Sequence, residues 1–186
     1  MSPVSVVRPR VSYLDLERAP EDGRRYELYD GEVFVVPAPL PLHQLIVHRL
    51  ADALETHRQE RGGLVFFSPL DIIFSEFDVA QPDIVFFERG RERLIDLRKP
   101  IRVSPDLAVE VLSPSTAATD RGKKMQLFAR YGVREYWLVD PDARTLEVYR
   151  LAGDAYRLVQ SAADSDTARS IILPEFSVSA RALSDS

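Results

Sequence analysis

Three ionisable side chains, Asp83, Glu110 and Lys124, stand where the surrounding sequence pattern favours burial. Glu110 lies in DLAVEVLS, an otherwise apolar run in which Ala108 and Leu112 would share its face of a strand. A buried carboxylate is costly unless it is paired with a cation or a hydrogen-bond network, so we predict that Glu110 belongs to a functional site. The alternatives for Glu110 are an exposed edge strand or an arginine partner.

Asp83 opens the strand predicted from QPDIVFF, a position where an aspartate can also be a simple cap or turn residue. Two acids at the ends of neighbouring strands could hold one oxygen-preferring cation between them. Asp83 and Glu110 therefore predict a Mg²⁺ site. Such a cation would polarise a phosphoryl oxygen and lower the pKa of its bound water, which is the chemistry of phosphodiester hydrolysis.

Lys124 lies on the helix predicted from DRGKKMQLFARY, on the face of Leu127, Phe128 and Tyr131. Its neighbour Lys123 is displaced by about 100° around the helix and is predicted to be more exposed. A lysine in this position could orient the attacking water or stabilise charge in the transition state. The alternative is a snorkelling lysine whose stem covers the rim of the core.

The elements that would position these residues follow from periodicity and turn signals. Ser12 and Asp15 resemble a capping box that opens a short helix, and Asp30-Gly31 predicts a β-hairpin. Longer helices are predicted over 42–59 and 119–131, with an exposed loop or short helix over 88–99. Strands are predicted over 64–67, 70–74, 83–87, 106–113, 135–139, 145–150, 154–160 and 169–173. This order predicts an α/β (α+β) fold with a mixed sheet flanked by helices.

The chain has 186 residues with a net charge of −5 and no cysteine, which excludes disulfides, thiolate catalysis and cysteine-based zinc sites. We expect a flexible arm over 1–11, one domain over 12–179 and a tail over 180–186. No signal peptide or membrane span is predicted, and we expect a cytoplasmic protein. Because the net charge is negative, the protein as a whole does not attract nucleic acid electrostatically.

Four blocks in order resemble the Uma-type (Uma-two) family of restriction endonucleases, within the PD-(D/E)XK nuclease superfamily. The blocks are YELYDGE with PAPLPLHQ, QPDIVFF, PDLAVEVLSPS and DRGKKMQLFARYGVREYWLVDP, which together run from about Tyr26 to about Val148. The resemblance implies a restriction-endonuclease-like core whose acids, matching Asp83 and Glu110, bind Mg²⁺ or Mn²⁺. It also implies the backbone carbonyl of Val111 as a further metal ligand.

The chain departs from the superfamily pattern at Leu112, where a lysine is expected two residues after the second acid. The Uma-type family shows the same gap, and its helix carries a lysine that matches Lys124. Glu27 and His43 also fall in family blocks. Glu27 could be an additional acid ligand or could hold water in the outer shell of the metal. Alternatively, it could be a cross-strand partner of Arg24 or Arg25. A lone histidine such as His43 is more often a cap or packing residue than a ligand.

The sequence therefore predicts a divalent-metal-dependent endonuclease acting on DNA, and two sites for two strands would favour a homodimer. One alternative is a catalytically inactive nuclease-fold module that binds nucleic acid or a partner protein. Another is a metal-dependent hydrolase of a different substrate, such as a nucleotide. No recognisable reader of DNA sequence is present, so specificity is not predicted.

Overall fold

The computed structural model describes residues 9–184 of the chain. Among the described helices, none combines the length and the apolar character that crossing a bilayer requires. In chain order the elements are α1 (Tyr13–Arg18), β1 (Arg25–Tyr29), β2 (Glu32–Val36), α2 (Pro41–Arg61), β3 (Leu64–Phe67), β4 (Ile72–Ser75), β5 (Asp78–Ala80), β6 (Ile84–Phe87), a 3₁₀ turn (Glu92–Leu94), β7 (Leu107–Val111), α3 (Ala117–Thr119), a π-helical turn (Asp120–Lys124), α4 (Met125–Arg130), β8 (Glu135–Asp140), β9 (Thr145–Ala152), β10 (Ala155–Ala163), β11 (Thr167–Arg169), β12 (Ser177–Ser179) and α5 (Ala180–Ser184).

The central sheet has six strands in the order β10-β9-β8-β7-β6-β3. The β7–β8 pair is parallel, and α3, the π turn and α4 form the connection between these two strands. Along β7, Leu107 and Val109 pack in the cluster that contains α2 residues, whereas Ala108 packs in the cluster on the opposite face with Leu127 and Phe128 of α4. Both faces of β7 are therefore covered, which explains its nearly continuous apolar sequence.

A second sheet of four strands has the order β2-β1-β5-β4. Its β1–β2 hairpin turns at Asp30 and Gly31, both with positive φ, as the Asp-Gly signal predicts. Leu28, Ile73 and Val79 from this sheet form a small core cluster with residues of α1. The predicted capping box of α1 is present, because the Ser12 side chain accepts from the Asp15 N–H and the Asp15 side chain accepts from the Ser12 N–H.

The predicted mixed sheet flanked by helices, with an N-terminal hairpin, is confirmed. The strand prediction over 169–173 is wrong in extent, because β11 ends at Arg169 and Ile171 and Ile172 instead donate their N–H groups to Glu135. The short strands β5 and β12 carried too few residues for a periodic signal. Residues 1–8 of the predicted arm lie outside the described residues, and the predicted tail begins with α5, in which Ala180 and Leu183 are buried.

Candidate functional site

Asp83 and Glu110 lie at the same edge of the central sheet. The antiparallel register pairs Ile84 with Val109, so Asp83 immediately precedes this pair on one strand and Glu110 immediately follows it on the other. An Asp83 carboxylate oxygen also accepts a hydrogen bond of 2.8 Å from the N–H of Val111. Two acids that are 27 positions apart in the printed sequence are thus held side by side by strand pairing.

Lys124 reaches this edge from the π-helical turn that precedes α4. Its side chain is 6% exposed, and its Nζ lies 3.0 Å from Glu110 Oε1 and 3.1 Å from Glu27 Oε1. The neighbouring Lys123 is 48% exposed, as the helical phase predicts, and it pairs with Glu32. Lys124 is therefore an inward-facing cation, and its ammonium is directed at the acids.

Asp120 and Glu27 complete the cluster of buried charges. Asp120 is 2% exposed, and its Oδ1 lies 3.5 Å from Lys124 Nζ across the π turn. Glu27 is held by the Tyr29 hydroxyl and by the Gln81 N–H, each donating over 2.7 Å. We name Glu27, Glu110, Asp120 and Lys124 the charged cluster.

His43, in the first turn of α2, contacts the carboxylate of Asp83. Its Nε2 lies 3.0 Å from Asp83 Oδ2, and both side chains are largely buried, at 13% and 14% exposure. Within the described part of the chain, His43 Nδ1 is buried without a hydrogen-bond partner. The helix cap is Leu40, so His43 is not a capping residue.

The charged cluster contains more negative than positive groups. Burial raises the pKa of Glu110 well above its usual range; Lys124 opposes this rise, and Asp120, Asp83 and Glu27 add to it. Burial also raises the pKa of Asp120, again against the opposing charge of Lys124. Burial alone would lower the pKa of Lys124, but the surrounding acids, with Glu110 foremost, raise it well above the ordinary value. The cluster therefore favours an added positive charge, whether a proton or a metal cation.

The acids face a cavity of about 410 Å³. Asp83, Glu110 and Lys124 line it together with Glu27, His43 and Asp120, and Val111 lies between them. The lining also includes the end of β2, the segment 37–40, the start of α2 and residues 112–116, together with Arg25, Ser68, Gln81, Thr119, Pro141 and Asp142. The three side chains on which the sequence prediction rests thus share one concave site.

The oxygen atoms of the site include donors that suit a divalent cation. Carboxylate oxygens are the ligands that Mg²⁺ prefers, and within the described residues Asp120 Oδ2 is buried without a hydrogen-bond partner, while Glu110 Oε1 has the ammonium of Lys124 beside it. No group of three or more histidine, aspartate or glutamate side chains in residues 9–184 is arranged to hold a metal. Mg²⁺ is usually bound by one or two carboxylates and several waters, so its fit here rests on the neighbouring carboxylates of Asp83 and Glu110.

Asp83, Glu110 and Lys124 lie together, as the sequence pattern predicts, while their catalytic and metal-binding roles stay predictions; the roles of Glu27 and His43 were left open. The cross-strand alternative for Glu27 is wrong, because Arg24 pairs with Asp22 and Arg25 donates to Ser68 Oγ and to the Pro37 carbonyl. Asp120 was missed. Its spacing of four residues before Lys124 was the available signal, but an acid at the start of a helix is commonly a solvated dipole partner.

Comparisons with known proteins identify a family and a shared fold. A family model, Uma2, described as "Putative restriction endonuclease", matches residues 11–182. An uncharacterized protein of Synechocystis sp. is 28% identical over 144 residues, which cover 76% of this chain and 74% of that protein. A crystal structure described as "a putative nuclease belonging to DUF820", from Anabaena variabilis, superposes with a TM-score of 0.77 at 22% identity, covering 93% of this chain and 97% of that one. This structural likeness shows that the two proteins share a fold.

Proposed function

Because the chain belongs to the Uma2 family of restriction-endonuclease-like proteins, we propose that it is a divalent-metal-dependent endonuclease that hydrolyses phosphodiester bonds of DNA. The observation that carries the proposal is the buried Glu110, which contacts Lys124 and lies beside Asp83 in one cavity. A carboxylate in this environment is expensive to keep charged unless a cation accompanies it. Buried ionisable groups with strongly shifted pKa values cluster at functional sites.

Asp83 and Glu110 would hold Mg²⁺ or Mn²⁺, with the carbonyl of Val111 as a further ligand. The bound ion would supply Lewis-acid polarisation of the phosphoryl oxygen and a water of lowered pKa. The N–H of Val111 and the Nε2 of His43 fix the orientation of the Asp83 carboxylate. An acid that is already oriented does not have to be reorganised when the cation binds.

Lys124 would supply the positive charge that faces the reacting phosphate. Glu27 and Asp120 contact its Nζ together with Glu110 and hold the ammonium in place within the protein interior. A fixed cation in a site that excludes water stabilises developing negative charge more strongly than the same cation in solution. The raised pKa of Lys124 keeps it protonated, which suits this electrostatic role.

The test is Mg²⁺-dependent hydrolysis of bis(p-nitrophenyl) phosphate and of plasmid DNA. Glu110→Gln and Lys124→Met should each lower kcat by at least about a hundredfold, the usual effect of losing a preorganised electrostatic group. Glu60→Gln, at an exposed position of α2, is the matched control and should retain wild-type activity. Full activity in both site variants would show that the reacting centre lies elsewhere.

An inactive nuclease-fold module is the second candidate, and Leu112 favours it. Leu112 is 5% exposed, belongs to the core cluster that contains Leu127 and Phe128, and stands where the superfamily lysine is expected. A protein of this kind would bind divalent cations or DNA and would hydrolyse neither substrate. Metal binding measured on the same preparation as the hydrolysis assay separates the two candidates.

A further inference from the structure

The basic residues next to the charged cluster are already neutralised by acids. Lys123 pairs with Glu32, and Arg121 bonds to Glu147 and lies 3.9 Å from Asp140. Among the described residues that line the cavity, the side chains with a permanent positive charge are Arg25 and Lys124. Lys124 is itself surrounded by three carboxylates. Proteins that hold a DNA duplex commonly neutralise about six to ten phosphates, and this cavity offers far fewer cations.

Part of the cavity lining is apolar and exposed. Leu40 is 69% exposed, Val35 is 54% exposed and Leu42 is 44% exposed, and all three line the cavity, as does Phe34. Large apolar side chains grouped at the mouth of a cavity mark a binding surface for an apolar part of a ligand. The polar wall carries the groups proposed to act on phosphate, so one cavity combines a phosphate-directed wall with an apolar wall.

A nucleotide in an unpaired strand has the matching chemistry. Its base presents a flat apolar face, and the phosphate attached to the same sugar is anionic. In a duplex this face is covered by stacking, and exposing it costs a few kcal/mol. The volume of about 410 Å³ falls in the ordinary range of pockets for small organic ligands, which suits one nucleotide unit.

We propose that the site takes an unpaired stretch of a DNA strand, with one base against Val35, Leu40 and Leu42 and the adjacent phosphate at the acids. This inference rests on the proposed nuclease function and adds its substrate class. The guanidinium of Arg25 bonds to two neutral groups, Ser68 Oγ and the Pro37 carbonyl, so its charge can attract the strand's phosphates. Base stacking and a small number of cations are the usual means of binding single strands.

The first test compares cleavage of one sequence as a single strand, as a perfect duplex and as a duplex with a central unpaired bubble. With Mg²⁺ present, the single strand and the bubble should be cut at least about tenfold faster than the duplex, as the cost of unstacking predicts. If all three DNA substrates were cut at the same rate and bis(p-nitrophenyl) phosphate were hydrolysed, this inference would be overturned and the proposed function would stand. If only mononucleotide esters were cut, a nucleotide hydrolase would replace it. Failure to cut any phosphodiester would contradict the proposed function.

The second test uses binding, which does not require turnover. The Glu110→Gln protein should bind a short fluorescent single strand at least about tenfold more tightly than the matching duplex. Leu40→Ser should weaken single-strand binding by about tenfold and reduce this preference, since it removes apolar contact. Leu97→Ser is the matched control, because Leu97 is 73% exposed and does not line the cavity. Equal binding of strand and duplex, or no difference between the two serine variants, would overturn the inference.

Discussion

The charged cluster buries one ammonium group together with three carboxyl groups. Its acidic groups therefore outnumber its basic group. Glu110, Asp120 and Glu27 are each less than 5% exposed and lie within 3.5 Å of Lys124 Nζ. One positive charge cannot balance three negative charges in a poorly solvated space. Burial raises the pKa of Glu110 and of Asp120, so the cluster favours an added proton or a bound cation.

Asp120→Asn should stabilise the metal-free protein at pH 8. Burial raises the folded-state pKa of Asp120 above its ordinary value of 3.8, so the stability from this carboxyl is fully present below that value and is lost as pH rises through the folded pKa. The asparagine variant avoids this loss. Its Tm should exceed that of wild type at pH 8 by roughly 2–4 °C for each kcal/mol recovered. The difference should shrink toward pH 4.

The measurement is the Tm as a function of pH in the presence of a chelator, with Asp154→Asn as the control at an exposed turn. The control should follow wild type at every pH. A lower Tm for Asp120→Asn at pH 8 would mean that ionised Asp120 stabilises the fold through Lys124, and the proposed charge imbalance would be wrong.

Single residues were predictable where a charge interrupted a clear pattern. Glu110 interrupts an apolar strand, and Lys124 shares the helical phase of Leu127 and Phe128, so their burial followed from the sequence. Asp120 stands four residues before Lys124, a spacing that puts both on one helix face, but an acid at the start of a helix interrupts no apolar pattern and so gave no sign of burial. The partners of Glu27 are contributed by Gln81 and Lys124, which only the tertiary fold brings near it.

Among the elements, the π turn between α3 and α4 has the largest effect on the site. It spans Asp120–Lys124 and buries the side chains at both of its ends. Insertions of this kind in α-helices are frequent at functional sites. The periodicity predicted one helix over 119–131, but a one-residue change of phase within it leaves no reliable signal.

Strand pairing was more predictable: β3 matches its predicted bounds, and β6 and β7 are neighbours as the acid pair required.

Deleting Gly122 should convert the π turn to regular α-helix. Leu127 and Phe128 are buried in the core and should keep α4 in place, so Asp120 would stand three residues before Lys124 instead of four, and its carboxylate would be displaced by roughly an ångström or more. Hydrolysis should fall by about a hundredfold, as expected when a catalytic group is misplaced by an ångström or more. The helical content measured by circular dichroism should remain that of wild type.

Gly122→Ala is the matched control for the deletion. A Cβ added at Gly122 meets no atom within 4 Å, so the substitution should keep the turn and stabilise the helix by about 0.5–1 kcal/mol. If the deletion variant folded and hydrolysed at the wild-type rate, the π turn would have no part in positioning the cluster.

In the molecule as a whole, two sheets and the long helix α2 meet around the cavity. Glu27 comes from the four-stranded sheet, Asp83 and Glu110 from the edge of the six-stranded sheet, and His43 from α2. Composition could predict an acidic protein with an ordinary core. It could not predict that the acids gather at one concave place with an apolar wall beside them, because that arrangement depends on how the sheets pack.

The most direct test of the proposed site is a Mn²⁺ titration followed by electron paramagnetic resonance, with Mg²⁺ as competitor. Wild type and Glu60→Gln should bind Mn²⁺ and release it to excess Mg²⁺. Asp83→Asn and Glu110→Gln should each weaken binding by at least about tenfold, since even outer-shell changes have effects of this size. Unchanged Mn²⁺ affinity in both variants, or no binding by the wild-type protein, would contradict a divalent-cation site at the edge formed by β6 and β7.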